Sequence, residues 1–240
     1  MSVLVLVRHA QASFFEKEYD RLSELGERQA RRLGAYFAKR GVEFDEVYTG
    51  PAERHCRTAD LVGEELLRAG RTWSQPVILE ELNEHAADRL LKEPSVAESD
   101  AHPHIRQLAA AYRAATDPGD IQKGFQKLFE AVVKLWTQGE FQIPGMEAWQ
   151  EFDRRVRGGL SRLTADNGRR GRRVLAFSSV GPISVSLHSA LNMPLADALQ
   201  LGWRLRNCSV TTFLFNSDRI TLDGFNSVAH LENSDEVTYR

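Results

Sequence analysis

Cysteine is scarce. The 240-residue chain has two, Cys56 and Cys208, too few for a disulfide framework or a Cys-based metal centre. An excess of one charge is also missing: Lys and Arg number 31 against 33 Asp and Glu, a net charge of −2. With a pI near 6.4, the chain has no electrostatic footprint for nucleic acid or an acidic membrane surface. No apolar run approaches the roughly 18 residues of a membrane span. The apolar stretch near the N-terminus follows no basic region and is too short for a signal peptide. These absences exclude a disulfide scaffold, a membrane span and a nucleic-acid binder. They lead to the expectation of a cytoplasmic globular protein, with no membrane or nucleic-acid partner.

What is present begins with Val3 to Val7, an unbroken and mostly β-branched apolar run. Such a run suits a strand buried on both faces, as in a parallel sheet. It ends in Arg8 and His9. In open α/β sheets, ligands bind beyond the carboxyl ends of strands. The guanidinium of Arg8 offers a planar fork of donors that matches phosphate oxygens. The imidazole of His9 is partly neutral near pH 7 and can attack phosphorus, taking the phosphoryl group onto nitrogen.

The rest of the chain alternates strand and helix patterns. Residues 22–40 read as a helix with Ser23 as cap and Ala30, Leu33, Gly34 and Phe37 on one face. Arg28, Arg31, Arg32 and Lys39 read as its solvated side. FDEVYTG is a second strand, and Gly50 and Pro51 turn it into a helix whose first turns hold Arg54, His55 and Arg57. A helix N-terminus attracts anions through its free N–H groups, and Arg54 there strengthens a phosphate pocket. Arg57 can face either the site or solvent, and His55 has no special spacing and reads as structural. Val77 to Leu79 form a third strand, followed by Glu80, Glu81, Glu84 and His85. A carboxylate on such a loop can protonate a leaving oxygen.

From about 86 to 145 the strand signals stop, and amphipathic helical segments read as an insertion or cap that sets the substrate. Phe14, Phe15 and Arg89 are candidates for its entrance. His102 and His104 form an H-x-H pair with too few accompanying ligands for a metal. A further helix precedes the basic run 169–173, read as a solvated loop. Val174 to Phe177 make a buried strand that ends in the small-residue turn SSVGPIS and a helix. A hairpin turning at Asn216–Asp218 follows, and the tail from Val228 reads as polar and partly ordered.

Laid out in this order, VLVRHAQAS, LSELGERQARRLG, VYTGPAERHCRTADLV, LNEH and LAFSSVGPIS resemble the motifs of the histidine phosphatase superfamily, the phosphoglycerate mutase-like clan. The resemblance extends to NCSVTTF and Val228 to Glu232, and so covers most of the chain. It implies a three-layer αβα sandwich with a mostly parallel central sheet, plus a helical insertion at about 86–145, in one domain over 1–240. It implies that His9 is the phosphorylated nucleophile, that Arg8 and Arg54 hold the phosphoryl oxygens, and that Glu84 is the proton donor. Gln11, Ser13, Arg57 and Val180, beside these motifs, become the candidate substrate contacts. No metal and no organic cofactor are implied, and the partner is a small phosphorylated substrate.

Two positions depart from the family pattern. Ala10 stands where Gly is usual, and Ser179 stands where a second histidine is usual, which places the chain in a variant branch. Losing a charged donor to a transition state typically costs about 10² to 10³ in rate. No nearby histidine is an obvious replacement: His188 lies two turns into the following helix and His230 in the tail. The expected activity is a phosphatase acting through phospho-His9. The competing expectation is a pseudo-phosphatase that binds a phosphorylated ligand without turnover. A mutase ranks lower, because it must keep its phosphohistidine from hydrolysing.

Overall fold

The computed structural model describes residues 1–13, 20–86, 101–141, 145–165, 168–169 and 171–239. Phe14, Phe15 and Arg89 lie outside the described residues. Strands β1 (Ser2–Arg8), β2 (Glu46–Thr49), β3 (Val77–Ile78), β4 (Arg173–Ser178), β5 (Val210–Phe215) and β6 (Ile220–Ser227) form one sheet in the order β3-β2-β4-β1-β5-β6. β1, β2 and β3 run parallel to their neighbours on the β4 side, and β5 and β6 are antiparallel additions. The hairpin between them closes on Asn216, whose Oδ1 accepts the N–H groups of Asp218 and Arg219 at 2.9 Å.

The apolar run of β1 is buried on both faces because helices cover both. Val5 and Val7 pack with Leu33 and Phe37 of α1 (Glu24–Lys39) and Val62 and Leu66 of α2 (Glu53–Arg68). Leu4 and Leu6, on the opposite face, pack with Leu160 and Leu163 at the end of α5 (Trp149–Thr164) and Ile183 and Leu187 of α6 (Val180–Leu191). The period-2 alternation of a strand sorts the side chains between these layers. α7 (Leu195–Gly202) follows α6 directly. The result is a three-layer α/β arrangement.

Two compact units divide the chain: Met1–Glu84 with Arg155–Arg240, and His85–Arg154. The second unit holds α3 (Pro103–Ala114), α4 (Pro118–Thr137) and the start of α5. Pro118 opens α4 at its first turn, where its missing N–H is harmless, and Asp117 caps it by accepting from Gly119 N at 2.9 Å. His85, Trp136, Trp149 and Phe152 stack into an aromatic core, with ring centroids between 5.2 and 5.9 Å apart. Among the described residues no helix is long and apolar enough to cross a membrane.

Three segments differ from their reading in the sequence. In the basic run, Arg172 is buried, not solvated: its Nη1 pairs with Glu46 at 2.9 Å and its Nη2 donates to Leu163 O and Ala165 O. On α1, Arg31 and Arg32 are drawn into ion pairs with Glu64 and Glu65 and with Glu236. The tail is ordered through Tyr239: Gln29 Nε2 donates to Glu236 O, and Thr238 Oγ1 donates to Asn207 Oδ1. In each case a partner far along the chain immobilises a polar side chain.

Candidate active site

The sheet brings three strand ends together. Arg8 lies opposite Ser178 in the β1–β4 register. His9 N–H donates to Ser178 O at 2.8 Å, and Gly50 N–H donates to Phe177 O at 2.9 Å. Because these strands are parallel, the residues after β1, β2 and β4 all emerge on one edge of the sheet. Two helices begin there: α2, with Arg54 and His55 in its first turn, and α6, with Ser179 at its N-cap.

His9 is held in one tautomer. Its Nδ1 lies 2.8 Å from Ala10 O. A carbonyl oxygen only accepts, so Nδ1 carries the hydrogen and Nε2 carries the lone pair. Burial, with Arg54 and Arg8 nearby, pushes the imidazole well below its ordinary range and keeps it neutral. The backbone is pinned as well. Ala10 N–H donates to Thr58 Oγ1 at 3.1 Å, and Thr58 Oγ1 donates to Arg54 O at 2.6 Å. Ala10 is absent from the positive-φ residues, so a Cβ at this position is unstrained.

Arg54 reaches Asp20 and Ser179. Its Nη1 pairs with Asp20 Oδ1 at 2.5 Å, and its Nη2 donates to Ser179 Oγ at 3.3 Å. The other Asp20 oxygen accepts Glu53 N–H, the first of α2, at 2.7 Å. A carboxylate thus rests on the helix N-terminus and the guanidinium that suit a bound anion. His55, read above as structural, belongs to the same group: its Nε2 lies 2.5 Å from Ser179 Oγ, and its ring centroid is 5.7 Å from that of His9. It is fully buried, and burial followed by the charge of Arg54 pushes it well below the ordinary imidazole range. Asp20 had no spacing signal in the sequence.

Glu84 closes the group from the loop after β3. Its Oε2 accepts Gly181 N–H, at the start of α6, at 3.1 Å. The loop is clamped by Ser178 Oγ, which donates to Leu82 O at 2.7 Å. Arg155 Nη1 clamps it too, with 3.0 Å to Glu80 O and 3.1 Å to Asn83 O. Arg8 is buried, and its Nη1 donates to Leu205 O at 2.5 Å and Tyr239 O at 2.8 Å. Val180 opens α6 beside Ser179. Gln11 is engaged by α1, with Ser23 Oγ donating to its Oε1 at 2.7 Å. Ser13 N–H donates to Arg21 O at 2.8 Å. The structure does not bring Arg57 to the group, because it pairs with Glu27 at 3.1 Å and Glu64 at 3.6 Å. Among the described residues, no cluster of three or more His, Cys, Asp or Glu side chains could hold a metal ion.

The model of the histidine phosphatase superfamily (branch 1) matches residues 4–134 and 119–228. This chain belongs to that superfamily. Solved structures of similar fold include a mycobacterial glucosyl-3-phosphoglycerate phosphatase bound to inorganic phosphate. It is 22% identical, with 97% of this chain and 100% of that chain covered and a TM-score of 0.63. They also include a phosphoserine phosphatase of Entamoeba histolytica in complex with phosphoserine, 18% identical, with 96% and 100% covered and a TM-score of 0.55. A 2,3-bisphosphoglycerate-dependent phosphoglycerate mutase of Azorhizobium caulinodans is 38% identical over 88 residues. That match spans 34% of this histidine phosphatase superfamily chain and 41% of the mutase.

Proposed function

We propose that this protein is a phosphomonoester hydrolase that works through a phosphohistidine at His9. The observation that carries this reading is the hydrogen bond from His9 Nδ1 to Ala10 O, which leaves the Nε2 lone pair free in a buried, cationic surrounding. Nε2 forms a bond to phosphorus as the ester P–O bond breaks. Glu84 gives its proton to the departing oxygen. Arg54 and Arg8 offset the charge spread over the phosphoryl oxygens. A water then attacks phosphorus, loses its proton to Glu84 and releases phosphate, which restores neutral His9. The substrate class is a small phosphorylated molecule.

Turnover of p-nitrophenyl phosphate by wild type and His9→Ala, with a chelator present, tests this. Hydrolysis that survives chelation and is lost by at least about 10³-fold in His9→Ala supports it. Unchanged hydrolysis in His9→Ala overturns it. A second reading, a protein that binds a phosphorylated ligand without turnover, draws on the uncharged hydroxyl of Ser179 in the pocket. It gains if wild type binds vanadate but hydrolyses neither this ester nor a panel of phosphorylated metabolites.

A further inference from the structure

We infer that His55 and Ser179 act as one device: His55 donates its Nε2–H to Ser179 Oγ, and the serine gives its own hydrogen to a phosphoryl oxygen bound beside His9. Ser179 contacts the phosphoryl group, and His55 is a positioning residue that acts through it. The inference rests on the phosphohistidine reading of this pocket and deepens it.

The N-cap of α6 is the first sign. A serine at this position ordinarily accepts a hydrogen bond from one of the next helical N–H groups. Ser179 has the extended backbone of a cap, φ −125° and ψ −179°, yet its side chain caps nothing. Gly181 N–H goes to Glu84 instead. The hydroxyl is turned away from its helix, towards His55 at 2.5 Å and Arg54 at 3.3 Å.

Hydrogen counting then fixes the direction. A hydroxyl has two lone pairs and one hydrogen. Arg54 can only donate, so it fills one lone pair. The tautomer of His55 decides the rest. Its Nδ1 is buried with no hydrogen-bond partner among the described residues. It faces Gly50 so closely that a Cβ on that glycine would lie 2.4 Å from it. A hydrogen on Nδ1 would be a buried N–H pressed against the Gly50 C–H with no acceptor, whereas a bare Nδ1 lone pair receives that C–H favourably. The hydrogen therefore sits on Nε2 and fills the second lone pair of Ser179. The serine hydrogen is left over, and no third partner of this hydroxyl is present among the described residues. Two hydrogen bonds into an oxygen polarise its O–H and make it a stronger donor. The burial of His55 and the charge of Arg54 keep the ring neutral, in keeping with a single hydrogen on it.

The test combines kcat for p-nitrophenyl phosphate with calorimetric binding of vanadate, on wild type, His55→Leu, His55→Gln, Ser179→Ala and the His55→Leu/Ser179→Ala double variant. His55→Leu and Ser179→Ala are each expected to lower kcat about 10- to 100-fold, with little change in KM. Vanadate binding weakens by a similar factor. The double variant is no worse than Ser179→Ala, and His55→Gln, whose amide N–H replaces Nε2–H, recovers most of the loss. Multiplying losses in the double variant, or a His55→Leu kcat within twofold of wild type, overturn the pairing.

Nitrogen NMR of the wild-type histidines needs no variant to fold. A hydrogen on Nε2 of His55 supports the inference, and one on Nδ1 overturns it. Vanadate binding and NMR do not depend on turnover. If wild type binds vanadate without hydrolysis and both single variants bind it more weakly, the phosphatase reading fails and the pair stands. If His9→Ala abolishes hydrolysis while both single variants bind vanadate as wild type does, the reverse holds.

Discussion

His9 is kept from becoming a cation. Burial removes water from the ring, and two guanidiniums oppose a third positive charge. Protonation would occupy the Nε2 lone pair and stop the proposed attack on phosphorus. A lowered pKa therefore carries the competent form to more acid conditions. The acid limb of kcat/KM for p-nitrophenyl phosphate is expected below pH 6.5, the ordinary imidazole value. A limb at 6.5 or above would contradict this account. Arg8, His9 and Arg54 were legible in the sequence because each sits where a strand ends or a helix begins, so local pattern was enough. His55 was not, because its partner Ser179 lies 124 residues away. Asp20 meets Arg54 across 34 residues of chain, again without a local pattern to announce it.

The elements were legible where one periodicity held. The apolar run of β1 and the buried face of α1 follow directly from spacing. Contacts between elements were hidden. Gly26 replaces the Glu or Gln of a capping box because a Cβ there would lie 2.1 Å from Gln11 O. Gly26→Ala must therefore push apart the start of α1 and the segment that follows His9. It is expected to lower stability by about 1–3 kcal/mol in urea unfolding, and an unchanged midpoint would refute the close approach. Arg172 teaches the same point: its acceptor Glu46 comes 126 residues earlier, so a basic run looked like a solvated loop. Arg172→Ala takes the Arg172 cation away from Glu46 and the donor away from Leu163 O and Ala165 O. A loss of about 3–5 kcal/mol is expected by the same measurement.

Across the molecule, three buried histidines share one behaviour. His9, His55 and His230 are all held below the usual imidazole range, His230 at about 4, chiefly by burial. Unfolded, each takes up a proton near pH 6.5. Between that pH and the lower folded value, the unfolded chain binds more protons than the folded one. Stability is therefore complete above about pH 7 and falls as the pH drops toward 4. Urea midpoints at pH 7.5, 6 and 5 are expected to decrease in that order. His230→Gln, which cannot take up the proton, is expected to flatten part of the slope. A midpoint that rises on acidification would rule this out.

The hold of Arg8 on Tyr239 O ties the neighbour of His9 to a residue 231 positions later. A chain grows at about 5–20 residues per second. Arg8 therefore leaves the peptidyl-transferase centre about 10–50 s before the carbonyl that anchors it has been made. For most of that interval β1 also lacks β4 and β5, its partners on both edges. The growing chain must shelter an apolar strand before it owns a pocket, so the chemistry proposed at His9 waits until Tyr239 has been added.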